Sequence, residues 1–364
     1  MGDSNNGGNS NIVKPQLENI KIIYSTMESF AALDNNGNVI TWGNNETGGD
    51  SSEVKHLLEN IKEIYSCDLA FVAINNNGDF IIWGDPDVCR NFNIIQLQLK
   101  NIKNIKKIYT SKSAFAAIDN NGNVITWGLS SYGGDSSHVQ HLLKNVKEIF
   151  STYDGFAAIL NDGNVIIWGI CYYTNIQLKN INKIYFTQFT CAAIDNNDNV
   201  IIYYEVNRVQ QIKNIKRIYL TGNSGAAIDN KNNVITWGYF KYYNDEQLKN
   251  IKEIYTIINA FAAIDYDGNV FTWGDYKFNY LLNNIKEIYT NEFAFAAINN
   301  NGDVITWGHS ALGGESSKVK LININKIYTT RYAFAAIDHV GNIITWGDPE
   351  AGGDSSSIYD KLKI

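Results

Sequence analysis

Short apolar runs, separated by polar and glycine residues, recur along nearly the whole of this chain. In the clearest copy the apolar runs lie at 107–110, 114–118 and 123–127. Runs of this length that are rich in β-branched and aromatic residues, and that are bounded by turn residues, predict β-strands. The segment 119–122, Asp-Asn-Asn-Gly, favours a type I′ hairpin with positive φ at both central residues. Each copy therefore predicts an antiparallel sheet of three to four strands.

A tryptophan near the end of the third run marks the same position in eight of the copies, and Tyr203 stands there in a ninth. The chain is an array of nine units, called repeats one to nine below, and such an array is read as one fold. We expect residues 1–10 to be a flexible segment and residues 11–364 to be a single domain. The tryptophans are Trp42, Trp83, Trp127, Trp168, Trp237, Trp273, Trp307 and Trp346.

Pairs of alanines occupy the middle of the second run, where β-propensity disfavours alanine. Small residues at one place in every repeat indicate crowding, as where strands converge on an axis. The adjacent phenylalanine is then expected to lie between neighbouring sheets. A ring of radial sheets, a β-propeller, satisfies both conditions and protects most strand edges. The pairs begin at Ala31, Ala116, Ala192, Ala226, Ala262, Ala296 and Ala335.

The repeats resemble those of the regulator of chromosome condensation 1 (RCC1) family. A glycine follows each of the eight tryptophans, which matches the Trp-Gly of that family. A Gly-Gly-(Asp/Glu)-Ser-Ser segment, called the arm below, stands where the family has a glycine-rich loop. The resemblance covers nearly the whole chain and implies a β-propeller. The arms lie at 48–52, 133–137, 313–317 and 352–356.

The chain also departs from the family pattern, because its repeats are shorter and number nine where typical members have seven blades. We expect one blade for each repeat, with a seven-bladed ring as the fallback. The segment 7–10 resembles a worn arm, and residues 356–362 resemble the start of a further repeat. Overlap of these two ends would close the ring by strand sharing. We find no position that matches the loops by which the family acts on a Ran-type GTPase.

Composition limits the classes of partner and compartment. The net charge of −7 and the sequence pI near 5.3 argue against binding to nucleic acid. The four cysteines form no metal-binding spacing, which favours free thiols in a reducing compartment. The first residues contain no apolar segment typical of a secretory signal, and no apolar run is long enough for a membrane span. We therefore expect an intracellular monomer, cytoplasmic or nuclear.

Residues that could carry catalysis are sparse. The five histidines form no metal-binding pattern with carboxylates, and His138 and His141 are read as a surface pair. Asp265 and Asp267 suggest a calcium loop only faintly, because they fall on a hairpin turn. The sequence therefore predicts no catalytic residue, no metal and no cofactor, and we expect a protein that is not an enzyme.

Two groups of residues vary between repeats and are candidate binding sites. Repeats four to seven lack the arm and place aromatic residues near or after the Trp position, the composition of a protein-binding surface. Alternatively, these rings only cover the sheet edges that the missing arm leaves bare. The aromatic patch is Tyr172, Tyr173, Tyr203, Tyr204, Tyr239, Phe240, Tyr242, Tyr243, Tyr276, Phe278 and Tyr280. The second site is the set of arms, through Asp50, Ser51, Asp135, Ser136, Glu315, Ser316, Asp354 and Ser355.

These features favour a non-enzymatic scaffold that binds another protein through one face. The resemblance gives an alternative, a guanine nucleotide exchange factor for a small Ran-like GTPase, with or without association with chromatin. The acidic composition counts against the chromatin variant. Binding to small GTPases would separate the two classes, since fold alone does not fix function.

Overall fold

The structure is a computed structural model that describes residues 7–90, 92–101, 105–152, 154–169, 178–187, 190–204, 208–240, 248–276 and 282–356. These residues form nine antiparallel sheets, one for each repeat of the sequence. Eight of the sheets have three strands and the fifth has four. The prediction of an all-β chain with three to four strands in each repeat is confirmed. The number of blades in a closed ring stays a prediction.

Each sheet runs in sequence order from its first strand to its third. The first strands are β1 Ile20–Ser25, β4 Ile61–Ser66, β7 Ile105–Thr110, β10 Val146–Ser151, β13 Ile181–Phe186, β17 Ile215–Leu220, β20 Ile251–Ile257, β23 Ile285–Thr290 and β26 Ile324–Thr329. The second strands are β2 Ser29–Asp34, β5 Ala70–Asn75, β8 Ala114–Asp119, β11 Gly155–Leu160, β14 Thr190–Asp195, β18 Ser224–Asp229, β21 Ala260–Asp265, β24 Ala294–Asn299 and β27 Ala333–Asp338.

The third strands end on the glycine that follows the tryptophan, except in repeat five. They are β3 Val39–Gly43, β6 Phe80–Gly84, β9 Val124–Gly128, β12 Val165–Gly169, β15 Val200–Tyr204, β19 Val234–Gly238, β22 Val270–Gly274, β25 Val304–Gly308 and β28 Ile343–Gly347. Repeat five adds a fourth strand, β16 Arg208–Ile212, which pairs antiparallel with β15. Two helices, α1 Pro86–Cys89 and α2 Phe92–Asn101, follow the third strand of repeat two.

The described residues divide into two compact units. One unit spans residues 2–188 with 193–196, and it contains the sheets of repeats one to four. The other spans residues 189–192 and 197–364, and it contains the sheets of repeats six to nine. The boundary falls within repeat five. The expected division into a flexible segment 1–10 and a single domain 11–364 stays a prediction.

The hairpin between the second and third strands has a different turn from the one predicted. In repeat three only Gly122 of the turn has a positive φ, of 79°. The N–H of Gly122 donates to the carbonyl of Asp119 over 3.1 Å, and the N–H of Asp119 donates to the carbonyl of Asn123 over 3.0 Å. This is a three-residue loop with one left-handed glycine, so the type I′ prediction is wrong. The Asp119 carboxylate accepts the amides of Asn121 and Asn123, both at 2.8 Å, which explains the acid before the turn.

The alanines of the second strand are small because both faces of that strand are buried between sheets. In repeats eight and nine, Ala294 and Ala296 on one face of β24 share a buried cluster with Phe334, Ala336 and Trp346 of the next sheet. All five side chains are at most 4% exposed. The expectation that the phenylalanine lies between neighbouring sheets is confirmed, and apolar burial of this kind is the main source of stability in such an array.

Hydrogen bonds also join successive repeats. The hairpin of one repeat accepts the first amide of the next, as where the N–H of Val146 donates to the carbonyl of Gly122 over 3.1 Å. The arm of one repeat meets the aromatic pair of the next: Phe156 stacks on Trp168 with centroids 5.5 Å apart. The indole Nε1 of Trp168 then donates to the carbonyl of Gly133 over 3.0 Å.

The N-terminal glycines act as an arm for the first repeat. The indole Nε1 of Trp42 donates to the carbonyl of Gly7 over 3.1 Å, as Trp83 donates to Gly48 over 3.1 Å. Gly7 is buried against Phe30, and a Cβ at this position would come within 2.6 Å of that ring. The resemblance of segment 7–10 to a worn arm is therefore confirmed for its first glycine.

The repeat pattern predicts no helix after repeat two, yet α1 and α2 lie there in place of an arm. Phe92 of α2 packs on Trp127 with centroids 6.3 Å apart, and Leu99 is only 1% exposed. Asp85 caps α1, because its carboxylate accepts the amides of Asp87 and Val88. The helical insertion thus covers the aromatic pair of repeat three, which an arm covers in repeats two, four and nine.

Candidate protein-binding surface

In repeats one to three and seven to nine, the turn between the first and second strands bonds to the turn of the next repeat through the backbone, although its side chains differ. The N–H of Ile258 donates to the carbonyl of Glu292 over 3.1 Å, and the N–H of Glu292 donates to that of Arg331 over 3.4 Å. Met27, Asp68 and Lys112 are joined in the same way in the other compact unit. Successive turns are therefore held edge to edge by backbone bonds, whereas their side chains range from aliphatic to acidic and basic.

The residue after the third strand lies beside this turn in most repeats. The N–H of Tyr239 donates to the carbonyl of Asn223 over 3.2 Å, and the N–H of His309 donates to that of Phe293 over 2.9 Å. Side chains from the turns and from the ends of the third strands therefore share one end of each sheet. Tyr239 of the predicted aromatic patch therefore lies next to the turn of its own repeat.

Aromatic and charged side chains gather at this end of repeats eight and nine. Phe293 and Tyr332 stack with ring centroids 5.6 Å apart, and His309 meets Phe293 edge-on at 6.5 Å. The guanidinium of Arg331 lies 5.2 Å from the centre of the Tyr332 ring and pairs with the carboxylate of Glu292. An arginine over an aromatic face is held by attraction between the cation and the ring. These contacts order the side chains before any partner binds.

Two exposed residues extend the same end into repeats six and seven. Tyr239 is 73% exposed and Ile258 is 40% exposed. We call Tyr239, Ile258, Phe293, His309, Arg331 and Tyr332 together the turn surface. All six residues belong to one compact unit. Tyrosine, phenylalanine and arginine are enriched at protein–protein interfaces, so the composition is that of an interface.

The described residues of the predicted aromatic patch differ in their exposure to solvent. Tyr239 is exposed, but Phe240 packs on the core between repeats six and seven, and Tyr276 packs on that between repeats seven and eight. Tyr203 is half-buried in β15, where burial raises the pKa of its hydroxyl, and Tyr204 ends that strand. The other rings of the patch lie outside the described residues; they are Tyr172, Tyr173, Tyr242, Tyr243, Phe278 and Tyr280.

The arms hold the fold together through their serines. The Thr126 hydroxyl donates to Ser136 Oγ over 2.9 Å, and Ser51 contacts Thr41 at the same distance. Ser316 pairs with the threonine of its own third strand as well. The same contact recurs in repeat nine between Ser355 and Thr345, over 3.0 Å. The arm serines are thus engaged within their own repeats.

The acidic residue of each arm is exposed and closes a tight turn. Asp50, Asp135 and Asp354 each accept the amide of the residue two positions on, over 2.8 Å, and Glu315 does so over 2.7 Å. These backbone hydrogen bonds, followed by those from the serine side chains, hold the pKa of each carboxyl below its usual value. Binding through the arms stays a prediction that would have to use these carboxylates.

An asparagine with a left-handed backbone precedes the first strand, and sequence reasoning missed it. Asn145 has a φ of 56°, and its carbonyl accepts the amide of Asn161 over 3.0 Å. The signal was present, since an asparagine stands directly before the first strand in every repeat and asparagine tolerates this conformation. The described members of the set are Asn19, Asn60, Asn145, Asn180, Asn214, Asn250, Asn284 and Asn323.

The described cysteines carry free thiols, as expected for Cys67, Cys89 and Cys191. Burial raises the pKa of Cys67 to about 11 and that of Cys89 to about 12, so neither forms a reactive thiolate near neutral pH. Among the described residues, no cluster of three His, Cys, Asp or Glu side chains could hold a metal ion. No helix in the described ranges is long and apolar enough to cross a membrane.

The nine sheets and their recurring Trp-Gly define an all-β protein whose repeats resemble those of RCC1-like β-propellers. Solved structures similar to the chain include human WBSCR16, at 13% identity over 68% of this chain and 79% of that one, with a TM-score of 0.36. Prp20p of Saccharomyces cerevisiae, described with its binding to Gsp1p and histones, matches at 14% identity over 67% and 72%, with a TM-score of 0.33.

A third similar structure is the complex of Kap60 with yeast RCC1 (Prp20), at 15% identity over 89% of this chain and 81% of that one, with a TM-score of 0.35. No protein-family model and no curated relative matches the chain. Neither the identities nor the TM-scores support a transfer of function.

Proposed function

We propose that the protein is a non-enzymatic scaffold that binds a protein partner through the turn surface. The observation that carries the proposal is the chain of backbone bonds from turn to turn, which joins Ile258, Glu292 and Arg331. This backbone is constant while its side chains vary, so neighbouring repeats present different chemistry at fixed spacing. Repeat proteins use such surfaces for recognition.

The side chains favour a protein as the partner. Four side chains contact one another and are half-buried or exposed: Phe293, His309, Arg331 and Tyr332. They offer contact area to a partner, and because they are already held in place, binding costs less side-chain entropy. A net charge of −7 disfavours a polyanion as the partner. Tyr239 belongs both to the turn surface and to the aromatic patch predicted from the sequence, and the other rings of that patch stay a prediction.

The test is an affinity capture from the source cell with two matched triple variants. One carries Tyr239→Ser, His309→Ser and Arg331→Ser, all at exposed positions of the turn surface. The control carries Tyr266→Ser, Lys231→Ser and Val340→Ser, which replace exposed residues of the hairpins between second and third strands. Circular dichroism establishes that both fold. A partner lost only from the first variant supports the proposal, and a partner retained by both overturns the choice of surface.

The exchange-factor alternative requires a separate measurement. The purified chain is added to a Ran-type GTPase loaded with a fluorescent guanine nucleotide, and nucleotide release is followed. We expect the rate to equal that of the GTPase alone. Acceleration at substoichiometric concentration of the chain would overturn the non-enzymatic part of the proposal, whatever the capture experiment shows.

A further inference from the structure

The second residue of the first strand is an exposed lysine in each of repeats one to four. We call Lys21, Lys62, Lys106 and Lys147 together the lysine row. All four belong to one compact unit, which does not contain the turn surface. No acidic residue stands at this position in any of the nine repeats, although the chain carries a net charge of −7. The row therefore repeats a positive charge at one place on an acidic protein.

A β-bulge carries each lysine of the row. In repeat two the register of β4 against β5 shifts between Ile61 and Glu63, so Lys62 between them has no partner on β5. The same irregularity falls on the other three lysines. The extra residue of a bulge is unpaired, and bulges often occur next to active sites, where they re-aim a side chain. The backbone thus holds the four lysines in equivalent positions.

Neighbouring members of the row lie within reach of each other. Cα atoms of β1 and β4, of β4 and β7, and of β7 and β10 approach within 8 Å. The side chain at the same position in repeat five, Asn182, accepts a hydrogen bond from Nζ of Lys147 over 3.0 Å. A crevice of about 650 Å³ between repeats two and three is lined by both Lys62 and Lys106. The four lysines therefore form one row rather than four separate charges.

The acids that line this crevice are already engaged, whereas the two lysines of the row are not. Burial, and then a hydrogen bond to Glu63, raises the pKa of the Tyr65 hydroxyl, so the Glu63 carboxylate has a donor within its own strand. Asp79 accepts a side-chain hydrogen bond within its own hairpin over 3.2 Å. Among the described residues, none forms an ion pair or a side-chain hydrogen bond with Lys62 or Lys106. Adjacent unpaired ammonium groups repel, and an anionic ligand relieves that repulsion.

We propose that the lysine row binds an acidic, extended segment of a protein partner, with Lys62 and Lys106 at the centre of the site. Alternate residues of an extended chain lie about 7 Å apart. Successive first strands approach within 8 Å, so carboxylates at alternate positions of the segment can meet successive lysines. The inference is independent of the function proposed above, because the turn surface belongs to the other compact unit.

The charges around the row favour a peptide over a nucleic acid. Glu63 and Glu148 directly follow Lys62 and Lys147 on their strands, so negative charge lies beside the row. A nucleic acid carries a phosphate at every residue and would bring phosphates against these carboxylates. An acidic peptide can place uncharged residues there. The net charge of −7 also repels a long polyanion more than it repels a short segment.

The probe is a peptide of four Gly-Asp units with an uncharged fluorophore at its amino terminus and an amide at its carboxyl terminus. A matched peptide has Asn in place of Asp. Binding to the full chain is followed by fluorescence anisotropy at about 10 mM salt, where the Debye length is roughly 30 Å. We expect the Asp peptide to bind, and to bind several-fold more weakly at about 150 mM salt. Equal binding of the Asp and Asn peptides would overturn the proposal.

Two double variants with the same change of net charge locate the site. One carries Lys62→Gln and Lys106→Gln, and the control carries Lys14→Gln and Lys55→Gln. The control residues are exposed and lie in two short 3₁₀ helices of the same compact unit. We expect the first variant to bind the Asp peptide about fivefold more weakly than the wild type, and the control to lose much less affinity. Circular dichroism establishes that both fold, and an equal loss in both would overturn the proposal.

A nucleic acid is the alternative ligand, and a matched probe distinguishes it. Pentathymidylate carries four phosphates, so its charge equals that of the Asp peptide. We expect the oligonucleotide to bind more weakly than the peptide at the same salt, because its phosphates meet Glu63 and Glu148. Tighter binding of the oligonucleotide, with a loss in the Lys62→Gln and Lys106→Gln variant, would overturn the choice of a protein segment.

Discussion

The indole Nε1 of Trp168 donates to the carbonyl of Gly133 over 3.0 Å and so ties two successive repeats together inside the core. The corresponding nitrogen of Trp127 is buried and has no hydrogen-bond partner in the part of the chain that the structure describes. The difference follows from what precedes each repeat. An arm with a glycine carbonyl precedes Trp168, whereas the helical insertion precedes Trp127.

These two tryptophans make a matched test of the arm. Trp168→Phe should lower the free energy of unfolding by about 1–2 kcal/mol more than Trp127→Phe, because it leaves the buried carbonyl of Gly133 without its donor. Both changes remove the same ring atoms from the core, so the difference isolates the hydrogen bond. Urea unfolding measures it. Equal costs for the two variants would show that the indole bond contributes nothing to stability.

Two glycines of equivalent hairpins test the junction between neighbouring repeats. Gly78 and Gly122 have φ values of 82° and 79°. A Cβ on Gly122 would lie 2.7 Å from the backbone nitrogen of Val146, whereas a Cβ on Gly78 meets no described atom within 4 Å. Gly78→Ala should cost about 1 kcal/mol for the left-handed backbone alone. We expect Gly122→Ala to lower the thermal midpoint by more than Gly78→Ala does. A smaller shift for Gly122→Ala than for Gly78→Ala would contradict this contact.

The arm carboxylates predict an acid-sensitive part of the stability. Hydrogen bonds from the amide and then the side chain of the serine two positions on lower the pKa of Asp50, Asp135 and Asp354. A carboxyl with a lowered pKa stabilises the folded state above its unfolded value, near pH 4, and this contribution is lost as the pH falls through the folded value.

The measurement is the thermal midpoint of the wild type and of a triple variant with Asn at these three positions, between pH 7 and pH 2.5. The amide oxygen still accepts the backbone bond, so the variant should fold. We expect the wild type to be the more stable at pH 7 and the gap to close below about pH 4. A gap that stays constant with pH would show that the carboxylate charge is not involved.

The carboxylate of an ion pair between repeats six and seven contributes to the raised pKa of a tyrosine. Burial, and then a hydrogen bond to Glu253, raises the pKa of Tyr219 to about 12, and Arg217 pairs with the same carboxylate. In repeat eight, burial and then Glu287 raise the pKa of Tyr289 to about 12. Removal of either carboxylate should therefore lower the pKa of its own tyrosine and leave the other unchanged.

The pair Glu253→Gln and Glu287→Gln tests this by NMR titration of tyrosines labelled at Cζ. Tyr219 should ionise at lower pH in the first variant only, and Tyr289 in the second only. Burial continues to raise the pKa of Tyr289 in the second variant, whereas in the first variant Arg217, which lowers the pKa of Tyr219, loses its carboxylate partner. A shift of both tyrosines in either variant would indicate a change of fold rather than the loss of one contact.

The sequence was sufficient for the fold class because the repeats are locally consistent. Turn glycines, apolar runs and paired alanines all agree on three short strands, and each strand forms where its run lies. The hairpin type was wrong because Asn-Gly is compatible with more than one loop. The Asp119 carboxylate selects the three-residue form by accepting two backbone amides, a contact that strand pattern alone does not reveal.

The helical insertion was missed for a different reason. Residues 92–101 carry apolar and polar residues at spacings that fit either a strand or a helix, and packing of Phe92 and Leu99 against the core decides between them. The candidate surface was found only in part. Tyr239 could be read from the sequence, but the neighbouring turns become visible as one surface only when their backbone bonds are known.

The bonds between repeats have a consequence for how such a chain can evolve. Three kinds of hydrogen bond join successive repeats: from the first strand to the preceding hairpin, from turn to turn, and from an indole to an arm. All three have a backbone carbonyl as the acceptor, so few of them depend on a particular side chain in the neighbour. A duplicated repeat would arrive with the donors and acceptors that its new neighbours require. Insertion or removal of a whole repeat would therefore preserve the bonds between neighbours and leave the turns free to differ.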